Sequence, residues 1–254
     1  MKKNLLIIAL AAITFTSCKK DDNSDISFKK LPSKITQIQD GDSTNTSFTY
    51  DNNQRVTLIK ESEGQEIKLS YSNNNLVKIE KKADATHRDV LDITYTSGKP
   101  ASAVYTSYTN NAIEDKFKIT YTLTGNNVTE ILFKDSTNTT QIAKNVISYT
   151  GSNPTKFETF EGNNSLSKFE ITYGTKKGIF AHVNTGNFLV DFNLLEIWSK
   201  TEITKAKMTI GDDIIESTST YTYNANSLPI TAEISTKELP SGDLSTQKLK
   251  IEYK

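Results

Sequence analysis

The chain has 254 residues with 30 basic and 30 acidic side chains, and without residues 1–17, which hold Lys2 and Lys3, 28 basic groups face 30 acidic ones. Near neutrality, with Arg55 and Arg88 as the only arginines, argues against a nucleic-acid partner and against arginine clamps for phosphate. A single cysteine rules out a disulfide framework. The hydrophobic content of 35% lies below the roughly 45–50% of ordinary globular chains, which suits a sheet with one dry and one wet face.

Met1-Lys2-Lys3-Asn4 is a short basic start to the apolar run Leu5–Ile13. That run is too short for a span of about 20 residues, so residues 1–17 read as an export signal. Cys18 follows the small residues Thr16 and Ser17, with Phe15 where a lipobox usually has Leu. The stretch resembles a lipobox, and the resemblance implies cleavage before Cys18, a lipid on its sulfur and a membrane partner reached through that lipid. Lys19-Lys20-Asp21-Asp22-Asn23 is similar to the start of mature Bacteroidota lipoproteins, where early acidic residues direct export to the cell surface. This implies a lipid-anchored outer-membrane location facing outward, with the periplasmic face as the alternative. Residues 18–33, polar and ending near Pro32, read as a tether, and residues 34–254 as one domain.

From there the chain repeats a unit of apolar residue, small or polar residue and tyrosine, then a turn, then a second alternating run. The tyrosines of the eight copies are Tyr50, Tyr71, Tyr95, Tyr121, Tyr149, Tyr173, Tyr223 and Tyr253. Residues two apart share a face of a strand, so each tyrosine joins the apolar residue before it on the dry side. Turn residues follow, as in Asp51-Asn52-Asn53, Ser72-Asn73-Asn74-Asn75, Gly125-Asn126-Asn127 and Gly151-Ser152-Asn153-Pro154. The pattern predicts an all-β antiparallel meander of roughly 16 to 18 short strands. A sheet that wide curls, so a barrel or strongly curved sheet is expected. The interval of 50 residues between Tyr173 and Tyr223 suggests a repeat that has lost its signature.

Within that interval, Asn187–Lys200 is the most apolar part of the chain after its export signal and holds Trp198. On a helix, Leu189, Asn193, Glu196 and Lys200 would form a largely polar face, with Phe188, Phe192, Leu194, Leu195 and Trp198 on a broad apolar one. A short helix plugging the barrel near 187–200 is the expectation; buried strands or a binding loop are the other readings.

No catalytic or metal constellation emerges. His87 and His182 have no second ligand at metal spacing, and Glu114-Asp115 and Asp212-Asp213 read as solvated turn acids. There is no phosphate loop, nucleophile elbow or zinc-protease motif. The expectation is therefore no enzyme, cofactor or metal.

Lipobox and repeats together resemble an uncharacterised Bacteroidota lipoprotein family with a porin-like fold. The repeats are also distantly similar to the Tyr-Asp repeats of Rhs-type proteins, a dipeptide kept here only at Tyr50-Asp51. The family resemblance implies a barrel domain without transferring a catalytic residue. A surface lipoprotein that binds a glycan or protein, or acts as an envelope adaptor, through its loops is the leading reading. Alternatives are an enzyme with an acidic site on the loops and a membrane-spanning barrel. Strands of about six to eight alternating residues, where about nine to eleven are needed, argue against the last.

Overall fold

Alternation puts Ile119 and Tyr121 on one face and Thr120 on the other, and each unit repeats that choice. The computed structural model, which describes residues 30–137 and 139–254, turns this into sixteen antiparallel strands, each paired with its neighbours in sequence. The first eight are β1 (Pro32–Gln39), β2 (Asp42–Tyr50), β3 (Val56–Glu61), β4 (Glu66–Ser72), β5 (Asn75–Lys82), β6 (His87–Thr96), β7 (Lys99–Thr109) and β8 (Ala112–Thr124). The second eight are β9 (Asn127–Asp135), β10 (Gln141–Thr150), β11 (Asn153–Glu161), β12 (Asn164–Lys177), β13 (Thr201–Ile210), β14 (Asp213–Tyr223), β15 (Pro229–Leu239) and β16 (Leu244–Tyr253). Pairing of β1 with β16 closes the barrel and leaves no edge strand.

The eight tyrosine units are the eight even-numbered strands. All turns that follow even strands gather at one end, the tyrosine rim, and all turns that follow odd strands gather at the far rim. The closing seam also lies at the tyrosine rim, where Leu31 and Lys254 exchange backbone hydrogen bonds of 3.1 and 2.9 Å. The expected boundary at residue 33 thus moves back: Leu31 is buried and Pro32 already belongs to β1. Proline is tolerated there because a first strand residue has no ladder bond to donate. The long interval between Tyr173 and Tyr223 holds an insertion and no lost repeat, since β12 and β13 pair directly across it.

Every odd strand begins with a β-bulge that faces the end of an even strand. The register shifts between Thr49 and Tyr50, between Thr94 and Tyr95 and between Ser148 and Tyr149, for example. A bulge sharpens local twist and bends the sheet, which helps closure, but it takes a residue out of the ladder. Tyrosines from the next even strand meet the backbone at these points. Tyr50, Tyr95, Tyr149, Tyr173, Tyr221 and Tyr253 donate their hydroxyls to the carbonyls of Pro32, Leu76, Val128, Pro154, Ile203 and Pro229 over 2.7 to 3.0 Å. Each acceptor is the residue just before the bulged one. The result is a girdle of hydrogen bonds that phenylalanine could not make.

The two faces of the wall differ sharply. Inward are Ile35, Phe48, Ile59, Leu69, Ile79, Ile93, Ile119, Ile131, Ile147, Phe157, Ile171, Ile234, Leu249 and Ile251, all buried in one continuous core. Outward run lysines and glutamates, with ion pairs such as Lys60–Glu66 at 3.0 Å, Lys168–Glu170 at 2.9 Å, Lys207–Glu216 at 2.9 Å and Lys248–Glu233 at 3.5 Å. Exposed pairs of this kind add little stability; their effect is to keep the outer wall wet.

Candidate functional site

The chain between β12 and β13 leaves the tyrosine rim, fills that half of the lumen and returns. Its helical part is short: a 3-10 turn over Phe192–Leu194 runs into one α-turn, α1 (Leu195–Trp198), and the rest is irregular. The expected plug is therefore present, but its helical face assignment fails for Leu189, which is buried because that residue precedes the helical turns. Aromatic rings anchor the plug to three parts of the wall. Phe180 meets Phe48 edge-on at 5.1 Å, Phe188 lies 6.4 Å from Tyr95, and Phe192 wedges between Phe157 at 4.5 Å and Phe169 at 5.1 Å.

Polar latches tie the same segment to the rim turns. The Asn184 amide donates to the Gln54 carbonyl at 3.0 Å, and the Asn187 side chain donates to Asn75 Oδ1 at 3.4 Å. Gly186 has a φ of +77°, and a Cβ there would stand 2.9 Å from the Asn74 carbonyl, so glycine is required twice over. Beneath the latch, Arg55 is 8% exposed, pairs with Asp51 at 2.6 Å, lies 4.5 Å from the centre of the Tyr71 ring and donates to the Asn73 carbonyl. Burial would raise the Asp51 pKa, but hydrogen bonds from Arg55 and the Asn53 amide outweigh it and hold that carboxyl below its usual range. Tyr71 thus faces a guanidinium where its equivalents face a carbonyl, and its phenol is pushed up to about 12 by burial.

Two other tyrosines depart from the pattern. Tyr121 donates to the Val190 carbonyl of the plug at 3.4 Å, the rim position of β8 being taken by Leu123 opposite Val128. In β14 the girdle bond and the core contact belong to Tyr221, whereas Tyr223, the residue expected in that role, lies outside the core with Lys176 4.1 Å from its ring centre. The register of β14 against β13 explains the exchange: extended from Lys205 opposite Thr218, it brings Tyr221 level with Glu202, beside Ile203, and carries Tyr223 past it.

Carboxyls accompany the plug into the lumen. Asp191 receives the Asn193 amide at 2.8 Å and caps the 3-10 turn; burial, its largest influence, raises its pKa. Burial also lifts Glu196 to about 7. Glu196, Ser199, Glu202 and Tyr221 border a void of about 20 Å³ between plug and wall, room for roughly one water molecule.

The plug stops at Phe192. Beyond it, towards the far rim, Phe117, Phe133, Ile142, Ala143, Asn145 and Thr159 line a cavity of about 340 Å³. No charged side chain lines it. The acidic pairs noted in the sequence stand apart from one another's chemistry: Asp115 faces Ser107 while Glu114 is the extra residue of a bulge, and Asp212 sits on an exposed turn while Asp213 opens β14. His87 is exposed and its Nδ1 lies 2.9 Å from Asp84 Oδ2, while His182 belongs to the plug. Among the described residues no three His, Cys, Asp or Glu side chains form a metal-sized group. Cys18 and residues 1–17, expected as an export signal, lie outside the described residues.

Nothing in the sequence announced the 340 Å³ cavity, because it is made by small residues of β10 facing large ones of β8 and β9. Four of the six girdle acceptors did leave a trace: Leu76, Val128, Pro154 and Pro229 stand five or six positions after Tyr71, Leu123, Tyr149 and Tyr223.

Neither a family model nor a curated protein matches this sequence. Solved structures do match in fold. A porin-like protein from Bacteroides uniformis ATCC 8492 superposes with a TM-score of 0.56 at 10% identity, over 88% of this chain and 96% of the other. A porin-like protein from Bacteroides vulgatus ATCC 8482 gives a TM-score of 0.50 at 11% identity, over 89% and 99%. At such identities the likeness is one of fold, and the chain shares the porin-like barrel of these two proteins.

Proposed function

We propose that this chain is a lipid-anchored outer-membrane protein, held through Cys18 at the cell surface, that serves as a non-enzymatic binding or adaptor module. The observation that carries the reading is the polarity of the wall together with the place where the chain enters it. A membrane-spanning barrel turns an apolar band outward, and a lysine at the bilayer midplane costs about 2–4 kcal/mol. Here the outward side chains of the strands include Lys60, Lys78, Lys156, Lys168 and Lys207 with their carboxylate partners.

Strand length is uneven, from 6 residues in β3 and 7 in β4 to 13 in β8 and 14 in β12, so it argues against a span only at the short strands. Wall charge argues against it more strongly. The described chain begins at the tyrosine rim, the end that the plug closes, so an anchor upstream would hold that end towards the lipid and leave the far rim free. The lipobox resemblance of Phe15-Thr16-Ser17-Cys18 supports the anchor, and the acidic Asp21-Asp22 supports surface export.

Metabolic labelling with a radioactive or alkyne fatty acid tests the anchor: the wild-type chain should take up label and Cys18→Ala should not. Protease added to intact cells tests the side, with cleavage expected in far-rim turns. Labelling that persists in Cys18→Ala overturns the anchor, and protection of a lipidated chain places it on the periplasmic face.

A further inference from the structure

We propose that the far half of the lumen is a binding site for a small, uncharged aromatic molecule carrying a hydrogen-bond donor. This deepens the reading of the barrel as a binding module and rests on it. The cavity of about 340 Å³ falls within the roughly 300–1,000 Å³ of small-molecule sites, near the lower end. It exists because β10 presents Ala143 opposite Phe133 and Asn145 opposite Ile131 and Thr159, while the plug ends one layer earlier with Phe192 against Phe157.

Its walls are aromatic and braced. Phe117 and Phe133 stand edge to face with centroids 5.9 Å apart, and Tyr105 stacks on Phe117 at 4.3 Å and 19°, which fixes the ring. Such a pair offers one ring face and one ring edge to a third aromatic ring. A register shift between Gln141 and Ala143 makes Ile142 the extra residue of a bulge; it is 46% exposed, yet lines the cavity. An apolar side chain so placed forms a greasy lip at the entrance.

The polar requirement is equally specific. Asn145 Oδ1 is buried and has no hydrogen-bond partner. A buried acceptor left unpaired is costly; Asn145 lines the cavity while this oxygen is turned into the wall, so rotating the amide towards a donor on the ligand breaks no bond to the oxygen and removes that cost. No lining residue carries a charge, and the charges that act on the Tyr105 ring behind Phe117 are the carboxylates Asp89, bonded to that tyrosine, and Asp115, so an anion entering here would lose its water without gaining a counter-charge. The carboxylate opposite Phe117 in register, Asp135, is already engaged by the Thr137 hydroxyl at 2.7 Å and the Thr139 amide at 3.0 Å.

N-phenyl-1-naphthylamine, a neutral fluorophore with one N–H, tests the site on the full-length chain carrying Cys18→Ser. We expect saturable binding of one probe per chain with a blue-shifted emission. Ala143→Phe, which fills the cavity, should abolish it, and Thr159→Phe fills it from the facing strand if the first variant does not fold. Asn145→Leu should weaken the probe about tenfold, the worth of one hydrogen bond, and the N-methylated probe should bind the wild type equally weakly. Fluorescence that does not saturate, or that survives in a folded cavity-filled variant, overturns the site and assigns the signal to the exposed rim. Such a result would leave acylation of Cys18 untouched, so the two failures are distinguishable.

Discussion

The two halves of this barrel are built from the same repeat and end up unlike each other. At the tyrosine rim the bulges, the phenol girdle and the plug leave little unpaired and little empty. Towards the far rim the buried oxygens Asn45 Oδ1, Asn145 Oδ1 and Gln247 Oε1 have no partner, a 340 Å³ cavity is open, and Ile113, Ile142, Leu166 and Leu244 are exposed. Stability and function tend to be separated in this way: a rigid, satisfied scaffold at one end carries a less satisfied, adaptable surface at the other. A sixteen-strand barrel is wide enough to enclose a channel. One insertion, placed between β12 and β13, closes half of it and leaves the other half hollow.

The comparison predicts a gradient of sensitivity. Phe180 is 1% exposed and packs on Phe48, so Phe180→Ala should cost about 3–5 kcal/mol in denaturant unfolding, and Tyr121→Ala about as much. A smaller loss for either would mean that the plug is not part of the folded core.

Glu196 gives a pH-dependent effect. Burial raises its folded-state pKa from the ordinary 4.5 to about 7, so the folded chain binds the extra proton and stability falls as pH rises through that window. Glu196→Gln removes this penalty. It should stabilise the chain by up to about 3 kcal/mol above pH 7 and change little below pH 4.5, as read from melting curves across pH. An effect that is equal at both ends would show that the carboxyl titrates normally.

Next comes the girdle. Tyr149→Phe keeps the ring and strips the donor from the buried Val128 carbonyl, for a loss of about 1–3 kcal/mol; Tyr71→Phe, whose ring faces Arg55, should lose less. Equal losses would break the distinction between the two tyrosines. The smallest effect belongs to the far rim: Leu244 is 77% exposed, and Leu244→Ser should stay within about 0.5 kcal/mol of the wild type.

What the sequence made legible was what alternation encodes. Period two in Ile119-Thr120-Tyr121 and its equivalents identified strands and faces, and the recurrence of eight tyrosines counted the hairpins. Closure, register and cavity were not encoded locally. The seam joins Pro32 to Tyr253 across the whole chain, and the girdle depends on which residue is skipped at each bulge. Tyr221 and Tyr223 show the limit: both sit on one face of the same strand, and only the register of β14 against β13 decides which of them reaches the Ile203 carbonyl. The plug was visible as an apolar cluster, yet its extent was hidden because only Phe192–Trp198 follows a helical period. The cavity was invisible because Ala143 and Phe133, unremarkable alone, make it by facing each other.

The central claim is that the wall is dry within and wet without; the proposed lipid on Cys18 would then be what holds the barrel to the membrane. Alkaline carbonate extraction of membranes bearing the Cys18→Ser chain measures this directly. The account predicts that the folded variant stays in the aqueous fraction without detergent as a monodisperse species; recovery of the folded barrel in the carbonate-washed membrane pellet would contradict it.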